Sequence, residues 1–505
     1  MILTEEQIKI TDSINSPDEN IVINAYAGSG KTTTLIELTK AILEKETEAK
    51  VLYVVFNSSM ADEARFKFQQ NWLDVECRTA HSFALSQFRK KQQINVAGFI
   101  DYSIYEQIKP QEFCSFIKVN KLLENYCLSY QKIKSFVETE KEKASLGLRS
   151  KDNFSMVEIE TFERLYYYLI ENYTYTHGLY LKEYAMNTDI INGYDYLLFD
   201  EAQDADPWML EIARKINCKK RYFVGDTHQS IYGWRGAINA MEKVENAAIY
   251  NLSSSFRFGN EIAGIANEIL SYKPSFKGLI SGSGVCPTSE DSPTTVLFRT
   301  NASMIEYGLK KLDENSKTKL TFQGFANNKQ SNEFTEIYHD FLSLIKAIAE
   351  EEGKKELLAG LNQNFYFAKL STKITKMQNI AKKERSSLRS YLHAQARNNC
   401  IFDNEISRYF NFFTNNEYKI IEKLIQLRDS GTIEDPEVSY NLITAHRAKG
   451  LEWDSVLISD DDWSTDTVEE LNLLYVAVTR SKGKIIIESN VVKELLENKQ
   501  QKLAV

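Results

Sequence analysis

At 505 residues the chain is too long for one hydrophobic core, and its 43% hydrophobic and 26% charged content is that of a globular protein of about three or four compact units. Its longest apolar runs, such as Val51–Phe56, have strand length and exclude a spanning helix of roughly 20 apolar residues; Met1–Glu6 lacks the start of a secretory signal, so a cytoplasmic location is expected. The formal charge of −9 counts only weakly against a nucleic-acid partner, because a local basic groove matters more than the sum.

The cysteines (Cys77, Cys114, Cys127, Cys218, Cys286, Cys400) are scattered without a CxxC pair, which reads as reduced, mostly buried thiols rather than a metal or disulfide framework.

In chain order, the first predicted strand is Ile21–Ala25, and the stretch that follows carries the most specific chemistry. Ala25-Tyr26-Ala27-Gly28-Ser29-Gly30-Lys31-Thr32 links an apolar strand to a helical pattern, Thr33–Leu38. Small residues there let backbone N–H groups close around phosphates at a helix N-terminus. Lys31 can reach the β- and γ-phosphates of ATP, and the Thr32 hydroxyl can ligate Mg²⁺. Val51–Phe56 is the next strand, and residues from about 92 to 178, rich in Lys, Glu, Tyr and Leu, read as helical.

Strand Tyr196–Phe199 ends in Asp200-Glu201-Ala202-Gln203-Asp204. Adjacent acids at a strand end suit two roles: Asp200 in the Mg²⁺ shell, and Glu201 as the base that orients and deprotonates water. Tyr222–Val224, Ala248–Leu252 and Thr295–Phe298 follow as strands. The stretch 333–436 is again helical, with Phe334, Ile337, Phe341, Leu344 and Ile345 at helical spacing. Leu442–Thr444, Val456–Ser459 and Ile485–Glu488 complete an alternation that is the mark of α/β architecture.

From residue 3 to residue 485 the ordered motifs resemble the UvrD/Rep branch of superfamily 1 helicases. Leu3-Thr4-Glu5-Glu6-Gln7 is similar to the adenine-reading motif, with Gln7 as reader. Val54–Ala61 and Thr79–Phe83 resemble the first two strand-contacting motifs, and Val224–Ala237 resembles the coupling motif. In that motif Gln229 is expected to sense the γ-phosphate and Trp234 to stack on a base. Ser255-Phe256-Arg257 resembles the next motif, with Phe256 packing on adenine and Arg257 meeting the γ-phosphate. Leu297–Ala302, Ile443–Trp453 and Glu470–Arg480 match later motifs, Arg480 being the arginine finger.

The resemblance implies two RecA-like P-loop domains with parallel sheets, each interrupted by a mainly helical insertion. The boundaries read as 1–91 and 179–283 for the first motor domain, 92–178 for its insertion, 284–332 and 437–505 for the second, and 333–436 for a reduced insertion. It also implies a nucleotide site of Gln7, Ala27, Gly28, Ser29, Gly30, Lys31, Thr32, Thr33, Phe256 and Glu452, with Lys31, Glu201, Gln229, Arg257 and Arg480 catalytic and Thr32 and Asp200 at the metal. Strand contacts would come from Phe56, Asn57, Thr79, His81, Tyr232, Trp234, Arg235, Arg299, Asn301 and His446. The physical sense stands beside the name. Arg257 and Arg480, far from Lys31 in sequence, can approach the phosphates from another domain, and aromatic faces stack on bases without reading sequence. For any single aromatic or histidine, core packing or a structural hydrogen bond is the competing reading.

His228, Phe258-Gly259, His446–Lys449, Thr176–Lys182 and Asn472–Tyr475 narrow the resemblance to the F-box DNA helicases, yet the motor pattern begins at residue 3, where no adaptor segment fits. The expected activity is an ATP-dependent 3′-to-5′ translocase and helicase on single-stranded DNA and its duplex junctions, in repair, recombination or defence against mobile elements and phage. The alternative is a DNA-stimulated ATPase subunit of a nuclease complex, with a nuclease as partner. A clamp without turnover is disfavoured by the intact catalytic set, and RNA stays open as a track. Within the second insertion Lys369, Lys373, Lys376, Lys382, Lys383, Arg385, Arg389 and Arg397 face one acid, Glu384. This is either a solvated helix face or a patch for duplex DNA or an acidic partner.

Overall fold

Strands that are apolar on both faces are stable only inside a sheet covered on both sides, and such sheets are parallel. The computed structural model describes residues 3–91, 93–97, 100, 102–108, 116–146, 154–274, 276, 278–284, 294–322, 332–354, 371–383, 385–397, 404–428, 438–459 and 462–502. The chain divides into two compact units, Met1–Ser254 and Ser255–Val505.

The first unit holds a six-stranded sheet in the order Val75–Thr79, Val51–Val55, Tyr196–Phe199, Lys220–Gly225, Asn20–Ala25, Ala247–Leu252. Every neighbouring pair is parallel. Tyr196–Phe199 is buried along its whole length, as a central parallel strand must be. The first and fourth predicted strands, Ile21–Ala25 and Tyr222–Val224, extend by a residue or two beyond the expected runs, while Val75–Thr79 lies outside the expected strands. Its Glu76 and Arg78 break the apolar run because it is an edge strand, where one flank meets solvent.

The insertion carries helices Phe116–Leu128, Ile133–Ser145 and Met156–Glu171, packed through the rings of Tyr126, Phe136 and Phe162 at centroid distances of 5.4–5.9 Å. Its two ends meet in a short parallel ladder, Asn95–Val96 against Thr174–Tyr175. An excursion that leaves and returns at one place lets the sheet close across it.

The second unit holds a five-stranded parallel sheet in the order Leu320–Phe322, Tyr440–Thr444, Thr294–Phe298, Trp453–Ile458, Ser481–Ile487. These are two α/β units with parallel sheets, the RecA-like arrangement expected. The helices of the second insertion are Asn332–Glu351, Ser371–Lys383, Leu388–Arg397, Asn404–Asn416 and Ile420–Arg428. Phe341, Leu344 and Ile345 are buried as their spacing requires, and Phe341 stacks on Tyr409 at 4.7 Å. The side chains of Phe334 and Ile337 lie outside the described residues, as do Cys114, Cys286 and Cys400.

Residues 255–283, grouped above with the first motor domain, stand in the second unit. After helix Asn260–Ser271, Tyr272 donates its hydroxyl to the Leu495 carbonyl at 2.7 Å, and buried Lys273 donates to Asn472 Oδ1 at 2.6 Å. Among the described residues no helix is long and apolar enough to cross a membrane.

Candidate functional site

The phosphate loop is built by two left-handed glycines. Gly28 (φ 73°) and Gly30 (φ 80°) turn the chain from strand Asn20–Ala25 into helix Lys31–Lys45, a path costly for residues with a Cβ. Ala27 and Ser29 are buried beneath the loop, and Ser29 Oγ has no hydrogen-bond partner among the described residues. An orphan hydroxyl at a helix N-terminus fits a phosphate oxygen. Thr34 Oγ1 donates to the Gly30 carbonyl at 3.0 Å and fixes the first turn, in which Thr32 and Thr33 are half-buried.

Lys31 does not point into solvent. Its ammonium forms an ion pair with Glu201, the acid expected to act as base. Burial alone works against the ammonium, but Glu201, Asp200 and Asp226 outweigh it and hold its pKa above the usual lysine value. Glu201 itself sits in the left-handed region at φ 53°, a strain of about 1–3 kcal/mol for a residue with a side chain.

Asp200 is buried and accepts from the Tyr53 hydroxyl at 2.5 Å and from the Glu201 N–H at 2.9 Å. Burial raises its pKa, with Lys31 pulling the other way. One carboxylate and one hydroxyl, Asp200 and Thr32, match how Mg²⁺ is held beside substrate phosphates, since that ion keeps several waters and needs no protein cage. Accordingly, no cluster of three metal-ligating side chains occurs among the described residues.

From Glu201 a hydrogen-bonded chain runs through residues that the motif reading had not singled out. Gln203 donates to Glu201 Oε2 at 2.5 Å and accepts from the Asp226 N–H at 3.2 Å. Asp226 in turn accepts from the Gln229 amide at 2.7 Å and from the His228 N–H at 3.0 Å. Glycine at 225 leaves the Gln203 amide its place, since a Cβ there would lie 2.0 Å from Gln203 Oε1. The path Lys31–Glu201–Gln203–Asp226–Gln229 thus connects the phosphate loop to the coupling motif. Its legible signal was the glutamine inside the acidic motif, two residues past the expected pair.

Gln7 is buried and engaged at both ends of its amide: it accepts from Thr4 N–H at 3.0 Å in a capping box and donates to Thr34 Oγ1 at 3.0 Å. Its second acid neighbour Glu6 accepts from the Ser253 N–H and hydroxyl, both at 2.7 Å. Tyr26 stacks on His228 with rings 5.7 Å apart.

The residues of the first unit expected to contact a nucleic-acid strand gather at the carboxyl ends of the parallel strands, where open α/β sheets bind ligands. Phe56 and Tyr232 hold their rings parallel at 6.1 Å, and Arg235 lies 5.4 Å over the Tyr232 ring. Asn57 caps helix Ser58–Gln70 by accepting from Met60 N–H, and Thr79 accepts from Ser82 N–H at the start of helix Ala80–Lys91. His81 contacts the Tyr180 hydroxyl at 3.2 Å, which His177 also reaches at 3.3 Å. Burial, with His177 adding to it, lowers the His81 pKa to about 4. The Trp234 side chain lies outside the described residues.

In the second unit Phe256 is exposed beside Arg257, whose guanidinium donates to Glu452 at 2.7 Å and to the Thr479 carbonyl at 3.1 Å. Arg299 is held by both oxygens of Glu470, at 2.8 and 2.5 Å, a bidentate grip rather than an outstretched cation. Asn301 begins helix Asn301–Glu314, and His446 lies in the short helix Ala445–Ala448. Arg480 is 1% exposed and donates to the carbonyls of Val476 and Leu451 and to the Thr479 hydroxyl at 2.9–3.1 Å.

Of the basic stretch in the second insertion, Lys382 and Arg385 are exposed, whereas Arg389 pairs with Glu352 at 2.9 Å and with Glu417. Lys369 and Glu384, and the side chains of Lys373, Lys376, Lys383 and Arg397, fall outside the described residues.

Comparison with known proteins agrees with this arrangement. The UvrD/REP helicase N-terminal domain matches residues 3–248, and the UvrD-like helicase C-terminal domain matches residues 441–487. F-box DNA helicase 1 of Gallus gallus is 27% identical across 98% of this chain, and the F-box DNA helicase protein 1 of Schizosaccharomyces pombe is 26% identical across 97%. The chain spans only 50% and 58% of those two relatives. The Gabija protein GajB of Bacillus cereus is 23% identical over 93% of this chain and 92% of its own length.

Proposed function

The chain belongs to the UvrD/Rep helicase family, and from that premise we propose that it is an ATP-driven translocase and helicase on single-stranded DNA. The observation that carries the reading is the hydrogen-bonded path from Lys31 through Glu201, Gln203 and Asp226 to Gln229. Such a path ties the group that holds phosphate to the loop that bears Tyr232 and Arg235.

In this reading Lys31 gives up Glu201 when a γ-phosphate takes its ammonium. Glu201, freed, orients a water molecule and accepts its proton. Asp200 and Thr32 hold Mg²⁺, which supplies charge neutralisation at the phosphates when bound. Gln203 follows Glu201, and the Asp226–Gln229 pair is displaced with it, so the state of the nucleotide reaches the strand-contact loop. Arg257 and Arg480 of the second unit supply the cations that stabilise transition-state charge, Phe256 and Gln7 flank the base, and Glu452 releases Arg257 for that role. Phe56 and Tyr232 stack on bases, while Asn57, Thr79, His81, Trp234, Arg235, Arg299, Asn301 and His446 line the track. The 3′-to-5′ direction rests on the family resemblance alone.

A second reading is favoured by one observation: this chain and the Gabija protein GajB correspond over nearly their full lengths. On it, the chain is a DNA-stimulated ATPase that works with a nuclease in a defence or repair complex.

Steady-state ATP hydrolysis with and without oligo(dT) decides the first point. Strong stimulation, cut about 10²–10⁴-fold in Glu201→Gln, is the expected result. Stimulation without unwinding of 3′-tailed duplexes moves the chain to the second reading. No response to DNA, with RNA tried in parallel, overturns both.

A further inference from the structure

The helicase reading leaves one buried cation unused. Lys182, in helix His177–Asn187, is 0% exposed, yet no carboxylate pairs with it in an ion pair among the described residues. Its ammonium donates instead to three backbone carbonyls, Tyr126 at 2.7 Å, Ser129 at 2.8 Å and Gln131 at 2.8 Å, and lies 3.2 Å from Ser129 Oγ. It also stands 3.4 Å from the Tyr126 ring centroid and 5.3 Å from that of Trp208.

These carbonyls belong to the last turn of helix Phe116–Leu128 and the residues just beyond it. A helix C-terminus carries the negative end of the dipole, so a three-donor cation suits it in sign, and the Tyr126 carbonyl it meets also accepts from the Ser129 N–H at 3.0 Å and hydroxyl at 2.9 Å. Two further contacts grip the same turn. Trp208 donates its indole N–H to the Cys127 carbonyl, and Gly178, one turn before Lys182, comes so close that a Cβ would lie 3.1 Å from Cys127 Cβ.

The turn so held touches the coupling motif. Gly236, at φ 93°, leaves room for Leu128: a Cβ there would lie 2.5 Å from Leu128 Cδ2. Gly236 closes the turn Tyr232–Gly236, with Arg235 N–H donating to the Tyr232 carbonyl at 2.9 Å and Gly236 N–H to Gly233 at 2.9 Å. That turn carries Tyr232 and Arg235.

We infer that Lys182 is a positioning residue for strand binding: it clamps the end of helix Phe116–Leu128 so that Leu128 braces the Tyr232–Gly236 turn against the track. The clamp acts on DNA only through Leu128 and Gly236, and the inference rests on the helicase reading. Lys182 lies in the Thr176–Lys182 stretch noted for its branch resemblance, to which the nucleotide and strand sites assign no task.

The test compares wild type, Lys182→Met and Leu128→Ala in ATP hydrolysis titrated with oligo(dT). Lys182→Met keeps the chain length and loses the donors. Leu128 is 37% exposed, so its truncation removes the brace without emptying a deep core. The expected result is a half-saturating oligo(dT) concentration raised about tenfold in Lys182→Met, the size of losing one stacked base, and raised in the same direction in Leu128→Ala. DNA-free hydrolysis and the rate at saturating DNA stay at wild-type values in both. If circular dichroism shows Lys182→Met unfolded, Leu128→Ala alone decides. An unchanged half-saturating concentration in the folded variants overturns the inference, as does a parallel fall of all rates, which marks a merely structural lysine. A wild-type chain that ignores oligo(dT) overturns the helicase reading itself, whereas normal wild-type stimulation beside unaffected variants overturns only the clamp.

Discussion

Two histidines share one tyrosine hydroxyl in the first unit, and only one of them is expected to touch the track. His81 is kept neutral by burial and by His177, with its pKa lowered to about 4. The unfolded chain, with a histidine pKa near 6.5, binds more protons than the folded one between those values, so stability falls as pH drops through that window. Above about pH 6.5 the contribution is fully present. The thermal midpoint is therefore expected to decline from pH 7 to pH 4.5, and the decline to be shallower in His81→Gln; identical slopes would sink the assignment. A single imidazole thus reads at once as a strand contact in sequence and as a pH-sensitive packing element in space. Gln203 shows the opposite case. The sequence displays it as one polar residue in an acidic run, and only the fold reveals that it bridges Glu201 to Asp226.

At the scale of elements, hydrophobic runs located the central strands because a doubly covered strand has no other stable place. Tyr196–Phe199 has the same ends in sequence and structure. Edge strands Val75–Thr79 and Leu320–Phe322 escaped notice, the first for its charges and the second for its length of three residues. Helix Asn260–Ser271 is not among the predicted elements, and its apolar stripe does not say which unit it faces. The contacts of Tyr272 and Lys273 answer that. Lys273→Ala is expected to cost about 2 kcal/mol, since it removes a buried hydrogen bond from a charged donor. A lowered urea midpoint for the second unit checks this, and an unchanged midpoint would mean that Lys273 does not anchor the segment. Arg389 illustrates a limit of charge counting: its acids stand at Glu352 and Glu417, well outside the basic stretch.

For the molecule as a whole, the candidate nucleotide site stands out in the sequence because its expected chemistry needs small residues, a lysine and two acids at fixed places beside a strand. What sequence order does not carry is which acids the candidate site residues pair with: Lys31 with Glu201, Arg299 with Glu470, Arg257 with Glu452. The same pairing bears on DNA affinity. A chain of net charge −9 in which Arg299, one of the two arginines proposed to contact the strand, is ion-paired is expected to bind single strands largely by stacking. Each neutralised phosphate contributes a slope of about −0.7 in log affinity against log salt, and a total slope of about −2 is expected here. Fluorescence anisotropy with oligo(dT) across salt concentrations measures it; a slope several times steeper would show that cationic contacts dominate.

The ion pair between Lys31 and Glu201 has a consequence for idling. A carboxylate already bound to an ammonium is a poor proton acceptor, and an ammonium already satisfied has little pull on a passing anion. With the roles proposed for Glu201 and Lys31, each group would silence the other: water would find no base and weak anions such as inorganic phosphate no strong host. Only a ligand that outcompetes Glu201 for Lys31 arms both at once. On that proposal the latch would make the fuel its own ignition key, and the engine would stay cold in the presence of spent fuel.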